Sequence, residues 1–254
     1  MGPWYGDVGI VAHRPGHLVV VDGSIVLGVF DEGNWVTVGG NELNFSQMLG
    51  RALPHEPFRD RFLKATLIVR LAMGARRAGR GATFVIIPAD RQEGIGSVSY
   101  PVEAFLALPQ ALDAWRQASQ ATPPITERDQ IKGLVGNALA VAAAGAGIDG
   151  ATLIDDSNLR LLGFGAKISA NDDESVVGLI ELPNTDVRMV KKEKLGGMRH
   201  QTAARLVQLN HAAMVITVSQ DGPVSLFAWV HDDANVVVIK HLDRYLAADA
   251  RFER

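Results

Sequence analysis

The sequence contains no cysteine at all. This absence excludes disulfide bonds, thiolate zinc sites, iron–sulfur clusters and a cysteine nucleophile. A chain without disulfides also fits a reducing compartment, so we expect a cytoplasmic protein.

Long hydrophobic runs and an excess of one charge are missing as well. The longest apolar segment, Ala138 to Ile148, has only about half the ~20 residues that a membrane-spanning helix needs. Residues Met1 to Asp7 do not resemble a secretion signal, because no basic segment leads into an apolar one. Lys plus Arg amounts to 25 residues and Asp plus Glu to 28, so the formal net charge is -3. We therefore expect neither a membrane nor a nucleic acid as partner.

The composition that remains is that of a globular protein. Hydrophobic residues make up 47% and charged residues 21% of the 254 positions, which is enough to bury one large core or two small ones. Near the N-terminus, short β-branched runs at Leu18 to Val21, Ile25 to Phe30 and Trp35 to Val38 are separated by Asp-Gly and Gly-Gly signals. This pattern predicts an antiparallel meander over roughly residues 8 to 40.

The rest of the chain alternates between helical and strand patterns. Three- and four-residue spacing of apolar side chains predicts a helix over Phe58 to Ala78, and the run Thr83 to Pro88 predicts a buried strand. Ala89 to Tyr100 is expected to be a loop. Further helices are predicted over Val102 to Gln120, from about Thr126 to about Ala144, and over Gln201 to Asn210. Strands are predicted at Ala151 to Asp155, Arg160 to Ile168, Val176 to Leu182, Met214 to Val218, Val224 to Trp229 and Val236 to Ile239.

These elements predict an α/β fold with a mixed sheet flanked by helices, preceded by a small β-rich extension. We expect the boundary at Pro54 to Pro57, which divides the chain into an extension over residues 1–55 and a larger domain over 56–254.

Two segments have the composition of a ligand site. The first is Gly147-Ile148-Asp149-Gly150-Ala151, between a small-residue helix and a strand. A carboxylate there can reach a divalent metal or a ribose hydroxyl, and the small residues admit a nucleotide close to the backbone. The alternative is an Asp-Gly turn that only reverses the chain.

The second segment runs from Gly196 to Ala204 and reads GGMRHQTAA. Glycines lead directly into a helix start, where free backbone N–H groups and the helix dipole favour an anion. Arg199 can clamp phosphate oxygens, and His200 can donate to a phosphate or bind a metal. An ordinary glycine-led helix with polar surface residues is the alternative.

In this order, the two segments resemble the diadenylate cyclase domain, and most of all its DNA-integrity-scanning branch. That family carries an Asp-Gly-Ala motif, a Gly-Thr-Arg-His-Arg motif and a strand ending in Val-Ser-Gln or Val-Ser-Glu. The chain has Asp149-Gly150-Ala151, Gly197-x-Arg199-His200 and Val218-Ser219-Gln220 at the matching places. The resemblance covers about residues 60 to 230.

The resemblance implies a mixed sheet flanked by helices, on which each subunit binds one ATP with Mg²⁺ or Mn²⁺. Two subunits meet face to face, and each ATP 3′-hydroxyl attacks the α-phosphate of the other, giving cyclic di-AMP and pyrophosphate. By the same resemblance, the catalytic residues would be Asp149, Arg199 and His200. The metal ligands would be Asp149 and Asp221, and the nucleotide would contact Asp149, Gly150, Ala151, Gly197, Arg199, His200, Gln201, Thr202 and Ser219.

The chain also departs from the cyclase pattern. The family's Thr is Met198 here, and its final Arg is Gln201, which removes a charge next to the triphosphate. His13 to Val20, which begins with His-Arg-Pro-Gly, and Arg80 to Pro88 resemble the divergent DACNV sensor branch, in which Arg-His is often followed by Gln.

Three functional hypotheses follow. The leading one is an adenine-nucleotide sensor with weak or absent cyclase activity, whose effector is a separate chain. The second is an active diadenylate cyclase that works as a face-to-face homodimer. The third is a structural domain that has lost its ligand. The basic residues Arg188, Lys191, Lys192 and Lys194 are expected to form a solvated loop, or else a basic flap near the phosphates.

Overall fold

The computed structural model describes two sheets and the helices that pack on the larger one. The described residues are 8–14, 17–22, 25–31, 34–37, 67–68, 70–76, 79, 81–103, 105–120, 125–170, 175–181, 187–219, 223–231 and 233–242. The expected domain boundary near residue 55 lies outside them.

The N-terminal sheet is the predicted meander. Its four strands pair antiparallel in chain order. They are β1 (Val8–Arg14), β2 (His17–Asp22), β3 (Ile25–Asp31) and β4 (Asn34–Thr37). The β-branched runs in the sequence therefore indicated these strands correctly.

The larger part begins with helix α1, of which residues 67–68 and 70–76 are described as helical. Three more helices follow: α2 (Ala107–Gln120), α3 (Ile125–Gly145) and α4 (Met198–Leu209). A 3₁₀ turn, Lys192–Leu195, immediately precedes α4. The strands are β5 (Ala82–Ile87), β6 (Ile95–Pro101), β7 (Ala151–Asp155), β8 (Leu161–Ile168), β9 (Val176–Glu181), β10 (Arg188–Lys191), β11 (Met214–Val218), β12 (Val224–Val230) and β13 (Asn235–Lys240).

These nine strands form one sheet in the order β10-β9-β13-β12-β11-β5-β7-β8-β6. The pairs β5–β7 and β9–β13 are parallel, and the other neighbours are antiparallel. The expectation of a mixed sheet within an α/β fold is confirmed.

Helices cover both faces of this sheet. One face packs against α1, α2 and α3, with Phe84, Ile86 and Ile216 among its buried residues. The other face packs against α4 and buries Val85, Val215 and Phe227. Because adjacent side chains of a strand point to opposite faces, strands covered on both sides are apolar throughout, as β5 and β11 are.

Two edge strands were missed or misread in the sequence. Residues 89–100 were expected to form a loop, but β6 begins at Ile95, and β10 forms where a basic loop or flap was expected. Both strands lie at the edges of the sheet and expose most of their side chains, so they carry no continuous apolar run. Helix α2 begins at Ala107 rather than near Val102, whose N–H donates to the Leu162 carbonyl oxygen and so extends the β6–β8 pairing.

The end of α3 offers a test of this packing. A Cβ placed at Gly145 would overlap the ring of Phe164, whereas a Cβ at Gly136, in the same helix, would meet no atom within 4 Å. Gly145→Ala should therefore lower the free energy of unfolding by about 1–3 kcal/mol through overpacking. Gly136→Ala should raise it by about 0.5–1 kcal/mol, since alanine favours the helix.

Urea denaturation of the two variants beside the wild-type protein measures both changes. Equal effects of the two alanines would show that Phe164 does not pack closely on the end of α3.

Candidate functional site

The central strands of the large sheet have termini at a common end, here called the site end. Strands β5, β7 and β12 start there, whereas β9, β11 and β13 finish there, as their parallel and antiparallel pairings require. Asp149 and Gly150 directly precede β7, and Ser219 directly follows β11. Strand β5 lies between β7 and β11, so the register brings two of the three sequence motifs to the same end.

Three hydroxyl side chains form a row across the sheet next to this end. Thr217 on β11 is paired in register with Thr83 on β5 and with Ser225 on β12. The residues two positions away on the same strands, Val85, Val215 and Phe227, pack on the α4 side. Because residues two apart share a face of the sheet, the three hydroxyls, called the polar row below, also face α4.

The polar row is almost completely buried, and one of its oxygens is unsatisfied. Thr217 is 1% exposed, and its Oγ1 has no hydrogen-bond partner in the described part of the chain. An unpaired buried hydroxyl costs free energy, so native structures rarely keep one without a reason.

The Asp-Gly-Ala segment forms the turn from α3 into β7. Asp149 is exposed, and Ala151 is the buried first residue of the strand. Gly150 has φ +107, and a Cβ there would lie 2.7 Å from the carbonyl carbon of Gly165. Gly165 is fixed in turn by its carbonyl oxygen, which accepts a hydrogen bond from Ser99 Oγ. Glycine at 150 is thus required by the backbone itself, because any side chain would strain the conformation and collide with β8.

Helix α4 starts at the site end. Gly196 has φ +125, and Gly197, the N-cap residue, provides no side-chain cap. Its carbonyl oxygen accepts hydrogen bonds from the N–H groups of His200 and Gln201. The N–H groups of Met198 and Arg199 have no acceptor within the helix, and no cap side chain competes for them. Arg199 is exposed on this turn.

His200 points into the protein rather than into solvent. It is 8% exposed, its Nε2 lies 3.3 Å from Oγ of Ser225, and its ring meets Phe227 edge-on at 5.8 Å between centroids. This contact joins the first turn of α4 to the polar row, so His200 fixes where the helix begins relative to the sheet.

The environment of His200 lowers its pKa to about 4. Burial is the largest cause, since it penalises the charged imidazolium, and the positive charges of Lys240 and Arg199 add to it. At neutral pH the imidazole is therefore uncharged. It can donate or accept a hydrogen bond but adds no positive charge to an anion site.

The remaining predicted site residues take different positions. The Gln201 side chain donates from Nε2 to the Gly196 carbonyl oxygen at 3.1 Å, which ties down the loop before the helix. Thr202 and Ser219 are half-buried, and the Ser219 N–H donates to the Pro223 carbonyl oxygen. Asp221 lies outside the described residues.

The sequence patterns missed two groups of buried polar side chains. Thr217 and Ser225 lie within apolar strand runs, and only the register shows that they adjoin each other. Lys192 was expected in a solvated loop or flap but is 0% exposed, whereas its neighbours Lys191 and Lys194 are exposed.

Asp149 offers an exposed carboxylate to a divalent metal here. Among the described residues, which leave out Asp221, no three His, Asp or Glu side chains are grouped closely enough to hold an ion. Mg²⁺ commonly binds through one or two carboxylates plus phosphate oxygens and water, so Asp149 fits a metal that arrives with a nucleotide.

No protein-family model and no curated protein matches the chain. A search of the described helices for membrane spans found none with the necessary length and hydropathy.

The lowered pKa of His200 predicts a pH dependence of stability. Between about pH 4 and 6.5 the unfolded chain binds a proton that the folded protein does not, so stability falls as the pH drops through this window. The free energy of unfolding should decrease by about 2 kcal/mol from pH 7 to pH 5 through this group.

Urea denaturation at the two pH values, with the His200→Gln variant, measures this contribution. The variant should lose about 2 kcal/mol less than the wild-type protein on acidification. His211→Gln, which replaces an exposed histidine stacked on Trp229, serves as the control and should keep the wild-type loss. An identical loss in His200→Gln would contradict the assignment.

Proposed function

We propose that the site end binds an adenine nucleotide, and that the protein is a diadenylate-cyclase-like nucleotide sensor, of the DACNV type, with weak or absent cyclase activity. The observation that carries this proposal is the register of β7, β5, β11 and β12. It brings the Asp149 turn, Ser219 and the first turn of α4 to one end of the sheet.

The phosphates would lie at the start of α4. Orphan N–H groups of the first turn and the helix dipole favour an anion, and no acidic residue occupies this turn. Arg199, exposed beside them, supplies a charged donor with a geometry suited to phosphate oxygens. Ser219, at the end of β11, can add a hydroxyl from the sheet.

The sugar would lie at the Asp149 turn. Its exposed carboxylate can accept a hydrogen bond from a ribose hydroxyl, and the close packing of Gly150 on Gly165 holds the turn in place. Strand β7 is three strand spacings from β12, or about 14 Å, an interval that an extended nucleoside triphosphate can bridge. Bound Mg²⁺ or Mn²⁺, held by Asp149 and phosphate oxygens, would neutralise phosphate charge.

Two features favour sensing over catalysis. The Gln201 amide is committed to the Gly196 carbonyl oxygen and carries no charge. His200 is neutral at pH 7 and is bonded to Ser225. Phosphoryl transfer depends on positioning and on neutralising phosphate charge, and the first turn of α4 offers less charge than the Arg-His-Arg pattern of the cyclases.

The alternative is an active cyclase in which two copies meet face to face and join two ATP molecules into cyclic di-AMP. It is favoured by the exposed Asp149 carboxylate at a backbone turn that admits only glycine at the next position. It requires a homodimer, whereas a sensor signals through a different chain. Either form would act in the cytoplasm, where ATP and a reducing environment are available.

Calorimetric titration with ATP and Mg²⁺, together with mass spectrometry of the reaction mixture, tests the proposal. The wild-type protein should bind ATP or cyclic di-AMP and form little or no cyclic di-AMP. Arg199→Gln should weaken ATP binding about tenfold or more, because a hydrogen bond to a charged group contributes roughly 1.5–3 kcal/mol.

Arg116→Gln is the matched control. Arg116 pairs with Asp113 on α2, which packs on the opposite face of the sheet, so ATP binding should be unchanged. Cyclic di-AMP formed by the wild-type protein and lost in Asp149→Asn would establish the cyclase instead. Absence of both binding and product would contradict both functions and leave a structural domain.

A further inference from the structure

A lysine outside the three motifs faces the same end of the sheet. Lys240 is the last residue of β13, whose alternation is fixed by Val238 on the α4 side and Ile239 on the other. Lys240 therefore projects on the α4 side. Ile239 pairs with Leu226, so the next position along β13 lies beside Ser225, the partner of His200.

The carboxylate in register with Lys240 on the neighbouring strand already has an ion-pair partner. Glu181 of β9 is its in-register partner, but the Glu181 side chain is ion-paired with Arg188 of β10. No hydrogen bond or ion pair joins Lys240 to a carboxylate in the part of the chain that the structure describes. Lys240 is half-buried, and a partly desolvated cation without a counter-ion gains more from an anion than a solvated cation does.

Lys240 and Arg199 both lie near the imidazole of His200. Both charges act on His200, one from the end of β13 and one from the first turn of α4. The polar row lies beneath this turn. It includes the buried Thr217 hydroxyl, whose Oγ1 has no hydrogen-bond partner among the described atoms. Two cations and free helix N–H groups thus lie around the start of α4, above the buried polar row, and the in-register carboxylate of Glu181 is ion-paired with Arg188.

We infer that Lys240 is a further phosphate-binding residue, which together with Arg199 and the start of α4 holds the polyphosphate of the nucleotide. This inference rests on the proposed nucleotide site. Lys240 supplies from β13 the second positive charge that Gln201 does not supply from α4. As a compact point charge it pairs with a phosphate oxygen without the bidentate geometry of arginine.

The experiment compares the binding affinities of ATP and adenosine, because the loss of a phosphate contact weakens only the binding of ATP. Lys240→Met should bind ATP about tenfold or more weakly than the wild-type protein and bind adenosine equally well. Lys240→Arg should recover most of the ATP affinity because it keeps the charge. Inorganic pyrophosphate should compete with ATP for the wild-type protein and compete less well for Lys240→Met.

Lys167→Met is the matched control. Lys167 is an exposed strand lysine on β8, and its neighbours Ala166 and Ile168 pack on the α4 side, so Lys167 faces the opposite side. This variant should bind ATP as the wild-type protein does. Thermal unfolding of each variant separates lost binding from lost folding.

The outcomes are distinct. ATP binding unchanged in a folded Lys240→Met variant would overturn the role of Lys240 while the nucleotide site stands. Equal losses for ATP and adenosine would overturn it too, because the defect would then not concern phosphate. If the wild-type protein bound neither ATP nor adenosine, the proposed function and this inference would both fail.

Discussion

The hydrogen-bonded register of β11 with β5 and β12 is the constraint on which the candidate site depends. It aligns Thr83, Thr217 and Ser225 across the sheet. The Ser225 hydroxyl forms a hydrogen bond with the imidazole of His200. A slip of β11 by one residue would turn Thr217 to the α1–α3 side, away from Thr83 and Ser225. Together with the β5–β7 pairing, the register of β11 places the Asp149 turn and Ser219 two strands apart. The strand pairing therefore determines the positions of the site residues.

The cost of this arrangement falls on His200. Burying an imidazole next to two cations disfavours its charged form, and the hydrogen bond to Ser225 partly compensates for the lost hydration. The same contact fixes the first turn of α4 against the sheet, so that the uncapped N–H groups of the helix lie at the site end. In the proposed site, a phosphate would meet N–H donors that are already in position.

The sequence predicted most of the buried elements and fewer of the contacts between them. Central strands such as β5 and β11 are continuous apolar runs and were evident, and so was the β1–β4 meander with its turn residues. Strands β6 and β10 lie at edges and are exposed, so the hydrophobic pattern could not reveal them. The polar row depends on pairing between distant strands, and a local pattern carries no information about which threonine will oppose which serine.

The motifs Asp149-Gly150-Ala151 and Gly197 to His200 were recognisable in the sequence, and the fold brings them to one end of the sheet. The inward orientation of His200, the Gln201 contact to Gly196 and the burial of Lys192 were not, because each depends on how α4 and the preceding 3₁₀ turn pack. Asp221 lies outside the described residues, so its place in a metal site stays a prediction.

The most direct test of the central claim is to map the backbone amide NMR shifts of ¹⁵N-labelled protein during titration with ATP and Mg²⁺. A nucleotide at the site end should cause saturable shifts at Met198 and Arg199 on α4, at Gly150 and Ala151 before and in β7, and at Ser219 after β11. Shifts confined to other parts of the sheet, or none at millimolar ATP, would contradict the claim that this end of the sheet is a nucleotide site.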